Sequence, residues 1–388
     1  MITFDRADLM RRAIATADWF ANNQVMRTHL ADHGRFENQI RVRGRQEKTT
    51  YATNWTIGMT VIALLMAWRR TRDARYREAA RRAGEYLKSL QILDARNPTV
   101  FGGFREDTPQ GDWFHPRDAL SAAWGLLHLR THLGDADSMW RARLYADWFE
   151  SHGMRDGYPA WTVYTDDRKP YWQKGSFHGG SPLFFFDLHA VTGTRRWLRT
   201  GLRICDSWLK LFPKPDGSIA VEIDAETGKD VTGLSDDPNH TGWQDMHKTN
   251  DDFTSLALLR AWKLTGKAKY LDGARRFLDW ALTKQRADGA FGSVAVNSAQ
   301  PVLIIELLDL ARATRVRRYR QAALQAVPHF LSLQEQTSDK PRFAGGFYCV
   351  HGDYEHDSRV ELGIRTSCYA LAALLKLESK RTYEGYTA

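Results

Sequence analysis

Three short stretches of the sequence carry acids or a histidine of the kind that transfers protons in enzymes. Asp118 stands in DWFHPRD, Asp251 and Asp252 stand together in KTNDDF, and His178 stands in SFHGG. Hydrolysis of a glycosidic bond needs at least a general acid and a base or nucleophile on opposite sides of the bound bond. We therefore predict these four residues as the catalytic candidates.

Aromatic and polar residues surround the catalytic candidates along the chain. Sugar rings stack on aromatic faces through their C–H groups, and their hydroxyls need side chains that can both donate and accept. This combination favours a carbohydrate pocket. The residues that we predict to bind substrate are Asn54, Trp55, Trp113, His115, Arg117, Tyr164, Trp172, Lys174, His240, Trp243, Lys248, Asn250 and Arg359.

Each catalytic candidate also has a structural interpretation. Asp118 and the run from Asn250 to Asp252 stand where helices are expected to begin, and a carboxylate there stabilises a helix by up to about 1 kcal/mol. His178 can equally be a buried histidine with satisfied hydrogen bonds. Two acids in tandem exceed what one helix cap requires, so the catalytic interpretation stays open for both.

The elements that would position these residues recur along the chain. An apolar helix, a short break and an aromatic residue that opens a second, amphipathic helix appear five times. The aromatic residues in the equivalent place are Tyr76, Trp140, Trp197, Tyr270 and Tyr319. Their spacing of roughly 50 to 70 residues is on the scale of repeat architectures.

Two further helices complete the pattern, one expected at residues 7–23 and one at residues 361–377. Six stacked helix pairs can close into a ring that leaves no terminal repeat uncovered. We therefore predict an all-α fold, an (α/α)6 barrel or six-hairpin toroid, as one domain over residues 1–388. The more apolar helix of each pair should form the inner ring. The long loops that lead into the inner helices carry the candidate residues, so one mouth of the ring should collect them.

Composition narrows the class of protein. The chain has 388 residues, 43% of them hydrophobic, and no stretch long and apolar enough to span a bilayer. Its start is an amphipathic helix and not a signal peptide, so we expect a cytoplasmic protein without a membrane partner. Cys205, Cys349 and Cys368 lack the spacing of a metal site, and we predict neither a metal nor another cofactor. The sequence leaves the oligomeric state open.

The net charge of +9 favours an anionic partner. Most of the arginines and lysines stand on outer helix faces, as solvated residues do, and we predict no nucleic-acid partner. One denser run, Arg41, Arg43, Arg45 and Lys48, lies in a loop before the second helix. It can hold an acidic ligand or simply be solvated.

With these residues in view, the chain resembles the six-hairpin glycosidases, in particular the unsaturated glucuronyl and unsaturated rhamnogalacturonyl hydrolases. The likeness lies in the apolar helices NWTIGMTVIALLMAWRRT, DALSAAWGLLHL, SPLFFFDLHAVTG, NSAQPVLIIELLDL and ELGIRTSCYALAALLKL. It implies the toroid fold, and it implies that Asp118 protonates the double bond of a 4,5-unsaturated uronic sugar before water adds.

The resemblance is incomplete at the site. The family's second Asp, at the third inner helix, has no counterpart here, since GSFHGGSPLFF offers only Ser176 and His178. The family's Arg and Trp at the fourth inner helix are replaced by KTNDDFTSLALL. Acid chemistry relocated to Asp251 or Asp252 would restore a second catalytic group.

We therefore predict an enzyme, a glycoside hydrolase that acts on short, acidic, uronic-acid-containing oligosaccharides by acid–base catalysis. A polysaccharide lyase or sugar epimerase is the alternative. It would use His178, His240 or His247 with Tyr164 for proton transfer, beside the positive charge of Arg117 or Lys174. A terpene-cyclase-like toroid, suggested by TNDDFT, and a non-catalytic saccharide-binding protein are further alternatives.

Overall fold

The computed structural model describes residues 4–42, 51–233, 247–292, 297–349 and 360–379. Twelve α-helices lie in these ranges. They are α1 (Arg6–Asn23), α2 (Asn54–Thr71), α3 (Ala74–Leu90), α4 (Pro116–Leu133), α5 (Ala136–Trp148), α6 (Pro182–Thr192), α7 (Arg195–Leu211), α8 (Thr254–Thr265), α9 (Ala268–Leu282), α10 (Ala299–Thr314), α11 (Arg317–Ser332) and α12 (Ile364–Glu378).

The helices form a closed double ring. The even-numbered helices α2, α4, α6, α8, α10 and α12 contact one another in this order, and α12 contacts α2 to close the inner ring. Helices α3, α5, α7, α9 and α11 each pack on the inner helix that precedes them, and α1 packs on α12. The first helix of the chain thus completes the hairpin of the last. The predicted (α/α)6 toroid is confirmed.

Burial separates the two rings. In α2 every residue from Thr56 to Ala67 is buried, because the helix has neighbours on all sides. In the outer helix α7 the buried residues recur every three or four positions, as one apolar stripe requires. Helices α2 and α4 cross closely at Gly58, where an added Cβ would lie 2.1 Å from the carbonyl oxygen of Ser121. Only glycine fits this crossing.

The recurring aromatic residue links neighbouring outer helices at two of its five positions. The hydroxyl of Tyr76 donates to Asp18 at 2.9 Å, and that of Tyr319 donates to Asp279 at 2.8 Å. Next to Tyr270, Lys269 makes the corresponding link, because it pairs with Asp206 of the preceding outer helix at 2.6 Å. Trp140 differs from these tyrosines, because half of it is exposed to solvent. The tyrosine therefore recurs because it bonds one hairpin to the next.

Eight short strands lie in the loops between the helices and pair antiparallel. They are β1 (Gln39–Arg41) with β8 (Glu361–Gly363), β2 (Trp113–Phe114) with β5 (Val163–Tyr164), β3 (Met154–Arg155) with β4 (Tyr158–Pro159), and β6 (Lys174–Gly175) with β7 (Glu222–Ile223). Three of these pairs tie together different loops that precede the inner helices, whereas β3 and β4 pair within one loop. Across the described ranges, no helix combines the length and the apolar character needed to cross a membrane.

Candidate active site

An ion-pair group joins three inner helices at the mouth where those helices begin. Arg365, in the first turn of α12, donates from Nη2 to Oδ1 of Asp252 at 2.9 Å. Arg117, in the first turn of α4, places Nη2 3.4 Å from Oδ2 of the same carboxylate. Burial raises the pKa of Asp252, but positive charges led by Arg365 outweigh burial and hold that pKa below its ordinary value. Asp252 therefore remains ionised as the shared counter-ion of both arginines.

The backbone that presents Asp252 is strained. Asp252 and Phe253 have φ angles of 46° and 70°, which only glycine adopts readily. The side chain of Asn250 holds the turn, because its Oδ1 accepts from the backbone N–H of Asp252 at 3.1 Å. Its Nδ2 also donates to Oδ1 of Asp252 at 3.2 Å. Strain that the surroundings maintain in this way clusters at functional sites.

Asp251 points into the protein beneath the same turn. Its Oδ2 accepts from the backbone N–H of Ser255 at 2.9 Å and from the Ser255 hydroxyl at 2.6 Å, which supports the start of α8. Glu306 of α10 is fully buried, and burial together with the charge of Asp251 raises the pKa of Glu306 well above its ordinary value. A protonated Glu306 can therefore donate to Asp251. These contacts match the capping interpretation of Asp251, whereas its catalytic role stays a prediction.

Asp118 has a different environment at the start of α4. Its side chain is 16% exposed, and Arg117 donates from Nη1 to its Oδ1 at 3.3 Å. Beside it lies Glu106, which is buried and accepts the backbone N–H of His115 at 2.9 Å. Burial and then the charge of Asp118 raise the pKa of Glu106 well above its ordinary value, which favours its protonated form. We call Glu106 and Asp118 the carboxyl pair and interpret Glu106 as the member that holds a proton.

Aromatic rings surround this polar group. The guanidinium carbons of Arg117 and Arg365 lie 4.2 and 4.5 Å from the ring centroid of Trp55. Trp161 meets Phe177 edge to face at 5.2 Å, and the carbonyl oxygen of Phe177 accepts from Nε of Arg117 at 3.4 Å. Trp55, Trp161 and Phe177 are only partly buried. Together they offer the aromatic surface on which a sugar ring can stack.

Three histidines lie on one side of the polar group. His178 stacks on Tyr158 with centroids 5.3 Å apart, and Phe177 contacts both His178 at 4.3 Å and His247 at 5.1 Å. Burial lowers the pKa of His178 well below its ordinary value and that of His247 to about 3. Both imidazoles are therefore neutral at physiological pH. His115 places Nδ1 2.7 Å from the carbonyl oxygen of Trp161, which fixes Nδ1 as the protonated nitrogen.

The structure brings about half of the predicted site residues together. The ion-pair group, the carboxyl pair and the aromatic surface contain five of them or lie against them, namely Trp55, Arg117, Asp118, Asn250 and Asp252. His115 and His178 adjoin this cluster through Glu106 and Phe177. Asp251 lies directly beneath it. Eight of the predicted site residues therefore lie in or against one cluster at this mouth.

Other predicted residues have different contacts. Asn54 is fully buried and donates to the carbonyl oxygen of Arg105 at 3.0 Å, so it holds the loop that carries Glu106. Strands β2 and β5 place Trp113 opposite Tyr164, and strands β6 and β7 place Lys174 opposite Ile223. At the rim, Arg168 covers the ring of Tyr164 and Arg155 covers that of Trp172, each at 4.1 Å from the ring centroid.

The remaining predicted residues are Lys248, His240, Trp243 and Arg359. Lys248 is exposed beside the buried His247. His240, Trp243 and Arg359 lie outside the described residues, as do Arg43, Arg45 and Lys48 of the basic loop. Their substrate-binding roles stay predictions.

Sequence reasoning missed Glu106, Phe177, Glu306, Arg365 and Tyr369. Glu306 and Arg365 carry a usable signal, because each is the first charged residue of a largely apolar inner helix, and such residues are seldom buried without a partner. Glu106 stands in a loop with no comparable pattern. Tyr369, whose ring lies 6.3 Å from that of Trp55, stands on α12 and resembles any core tyrosine in sequence.

Among the described residues, no group of three or more His, Cys, Asp or Glu side chains is placed to hold a metal ion. The carboxylates of Asp118 and Asp252 at the mouth are instead paired with arginines. The described part of the site can therefore bind by stacking and charge-assisted hydrogen bonds, and can transfer a proton from the carboxyl pair.

No protein-family model and no curated protein matches this chain. Solved structures match its fold over nearly its whole length. A D-mannose isomerase is 14% identical with a TM-score of 0.75, and the match covers 97% of this chain and 99% of that one. Cellobiose 2-epimerase from Bacillus thermoamylovorans B4167 is 12% identical with a TM-score of 0.72, covering 95% and 98%. An unsaturated glucuronyl hydrolase from Bacillus sp. GL1 is 18% identical with a TM-score of 0.69, covering 97% and 98%. At these identities the similarity establishes a shared (α/α)6 toroid.

Proposed function

We propose that this chain is a saccharide-processing enzyme whose general acid is Asp118. The observation that carries the proposal is the carboxyl pair, in which buried Glu106, with its raised pKa, lies beside the partly exposed Asp118. A general acid must be protonated at the working pH. In this proposal Glu106 supplies the proton that Asp118 passes to the substrate. The fold neighbours support the substrate class, because their names include a hydrolase, an epimerase and an isomerase of sugars.

Within this class we propose hydrolysis of short oligosaccharides that end in an unsaturated uronic acid. Their C4–C5 double bond is an enol ether. A proton from the carboxyl pair added at C4 leaves positive charge shared by C5 and the ring oxygen. Water then adds at C5, and its proton returns to the pair. The C5 hemiketal so formed opens to a ketone, which leaves C1 as a hemiacetal. This hemiacetal breaks its bond to the second sugar, which leaves as an alcohol. This route needs one acid and one water molecule, and it does not need a second catalytic carboxylate. It therefore suits a site in which Asp252 is the counter-ion of arginines and Asp251 is buried.

The arginines support an acidic substrate. Arg117 and Arg365 both contact Asp252, and a guanidinium binds a carboxylate through charge-assisted hydrogen bonds. A substrate carboxylate placed over Trp55 would lie beside both of them.

We retain as proposals a cytoplasmic location and an oligosaccharide as the partner, without nucleic acid or membrane.

The test is a comparison of products. The protein is incubated with an unsaturated glucuronyl disaccharide, its saturated counterpart and a neutral disaccharide. We expect loss of the double bond's ultraviolet absorbance and release of the second sugar from the first substrate only. Cleavage of the saturated sugar at an equal or higher rate would replace the hydration route with ordinary glycosidic hydrolysis. Absence of any change in all three would reject the hydrolase.

A second candidate, a sugar epimerase or isomerase, is favoured by the histidines. His178 and His247 are neutral, lie on either side of Phe177, and are suited to abstract and return a proton next to a carbonyl group. Nδ1 of His178 is buried without a hydrogen-bond partner among the described residues. Incubation of mannose or cellobiose in D2O distinguishes this reaction, because it places deuterium on the product carbon and a hydrolase does not.

A further inference from the structure

A basic cavity of about 390 Å³ lies at the mouth of the toroid opposite the candidate active site. Helix α12 begins at the active site with Arg365 in its first turn and ends at this cavity with Lys376 in its last turn. The walls come from the start of α1, the ends of α10 and α12, and the beginning of α11. The six cationic side chains that line it are Arg6, Arg312, Arg315, Arg317, Arg320 and Lys376. Its volume is in the range of small-molecule sites.

The charge of this cavity is unbalanced. Among its described lining residues there is no Asp or Glu. Behind the wall, Asp309 pairs with Lys376 at 2.6 Å and with Arg312 at 3.7 Å. One carboxylate therefore faces two of the six cations, and the exposed arginines at the cavity surface add further positive charge.

Favourable interaction with helix dipoles explains only some of the positive residues around the cavity. Arg312 and Lys376 lie in the last turns of their helices, where positive charge interacts well with the helix dipole. Arg6 and Arg317 instead occupy the first positions of α1 and α11, where the dipole disfavours positive charge. Arg315 takes a left-handed conformation, φ 59°, at the end of α10, as Arg72 does at the end of α2. Glycines occupy this place in α4, α6 and α8.

Arg318, the residue before the recurring aromatic of α11, pairs with Asp279. The arginines in the equivalent place of α3 and α7, Arg75 and Arg196, also pair with acids. Arg317 and Arg320 line the cavity instead, and the described lining offers them no Asp or Glu. These two exposed arginines can therefore pair with a negative charge that enters the cavity.

We propose that this cavity binds a small phosphate-bearing anion. A phosphate ester carries up to two negative charges and three oxygens, which arginines bind through paired hydrogen bonds better than they bind a single carboxylate. The apolar floor, which includes Leu308, Ala311, Leu324 and Leu377, can cover the carbon skeleton of an organic phosphate. This site is separate from the active site, and the proposal does not depend on the reaction assigned there.

Titration calorimetry tests the proposal, with glucose 6-phosphate and inorganic pyrophosphate as probes and glucose as the uncharged control. We expect saturable binding of one or both phosphates and none of glucose. The variant Arg317→Gln/Arg320→Gln should weaken phosphate binding at least 10-fold. The matched control, Arg199→Gln/Lys210→Gln, removes the same charge from exposed positions on α7 and should change affinity less than 2-fold.

The outcomes separate a built site from general attraction between charges. Equal weakening in the two double variants would overturn the proposal, because the net charge alone would then explain binding. Failure of the wild-type protein to bind either phosphate saturably would also overturn it. Pyrophosphate binding without glucose 6-phosphate binding would retain the anion site and identify the phosphate group alone as its ligand. All substituted residues are exposed, so both variants should fold.

Discussion

Arg365 donates to Asp252 at 2.9 Å across 113 residues of sequence. The contact joins the last inner helix to the turn before the fourth, on opposite sides of the hairpin that contains α10. Because Asp252 has a left-handed backbone, the ion pair also holds a conformation that the turn would otherwise avoid. The contact therefore organises the active-site mouth as well as closing the ring.

Replacing Arg365 should destabilise the protein. Arg365→Met leaves the buried carboxylate of Asp252 without one of its two arginines, and breaking a buried ion pair costs about 3 kcal/mol or more. Urea unfolding at neutral pH measures the change. Arg70→Met is the control, because Arg70 pairs with Glu378 but is 42% exposed. Such a pair is worth about 1 kcal/mol or less. Equal losses of unfolding free energy in the two variants would show that the pair of Arg365 and Asp252 contributes no more than an exposed ion pair.

The carboxyl pair predicts a pH dependence of stability. The pKa of Glu106 is raised in the folded protein, so folding retains a proton that the unfolded chain loses near its ordinary pKa of about 4.3. The wild type should therefore lose stability relative to Glu106→Gln as the pH rises above that value. At lower pH, where both states are protonated, the difference between the two should be constant. Urea unfolding from pH 4 to 8 tests this, and a wild type that gains on the variant as pH rises would contradict the assignment.

Asp118 and Asp251 should respond differently to removal of their charge. Asp118→Asn should reduce turnover at least 100-fold with little change in melting temperature, because loss of an acid–base group costs about 10² to 10⁴ in rate. Sequence reasoning predicts the same for Asp251→Asn. Its bonds to Ser255 and the burial of Glu306 beside it lead us to expect a lower melting temperature instead.

Kinetics and thermal melts of both variants decide between these roles. Full stability with 100-fold lower turnover in Asp251→Asn would restore Asp251 as the second catalytic group. A destabilised but active Asp118→Asn would return Asp118 to a structural role. Asp166→Asn, at an exposed rim position, is the control for loss of a negative charge.

The repeat made the fold predictable, because each inner helix has a continuous apolar run and each outer helix an apolar stripe. Helix ends were less certain. The last helix was expected from residue 361, but residues Glu361–Gly363 pair as β8 with Gln39–Arg41, and the helix begins at Ile364. A pairing across more than 300 residues leaves no local trace in the sequence.

The site could be predicted only where its residues are neighbours in the sequence. Arg117 and Asp118 stand side by side before an apolar helix, and both lie in the cluster. Glu106 gains its role from burial against Asp118, and Arg365 from its distance to Asp252. Neither property can be inferred from spacing, since each depends on how the loops fold onto the ring.

His247 should contribute to catalysis, if at all, as a neutral imidazole. Its pKa of about 3 lies below the range from pH 5 to 8, so its charge should not change there. We therefore expect His247→Asn to leave the shape of the pH–rate profile unchanged, whatever it does to the rate. Disappearance of a limb between pH 5 and 7.5 in this variant would show that His247 titrates in that range.

The charge of the substrate provides the last prediction. A carboxylate-bearing saccharide should bind more tightly than its neutral analogue, because Arg117 and Arg365 can hold a carboxylate through charge-assisted hydrogen bonds that a hydroxymethyl group cannot replace. Competition with matched glucuronide and glucoside ligands at low and high salt measures the preference. Since both arginines are about 8% exposed, the preference should persist at high salt. A preference that salt abolishes would point to exposed cations at the rim, such as Lys248. Equal affinity for the two ligands would mean that the positive charge serves other parts of the protein and that the substrate is neutral.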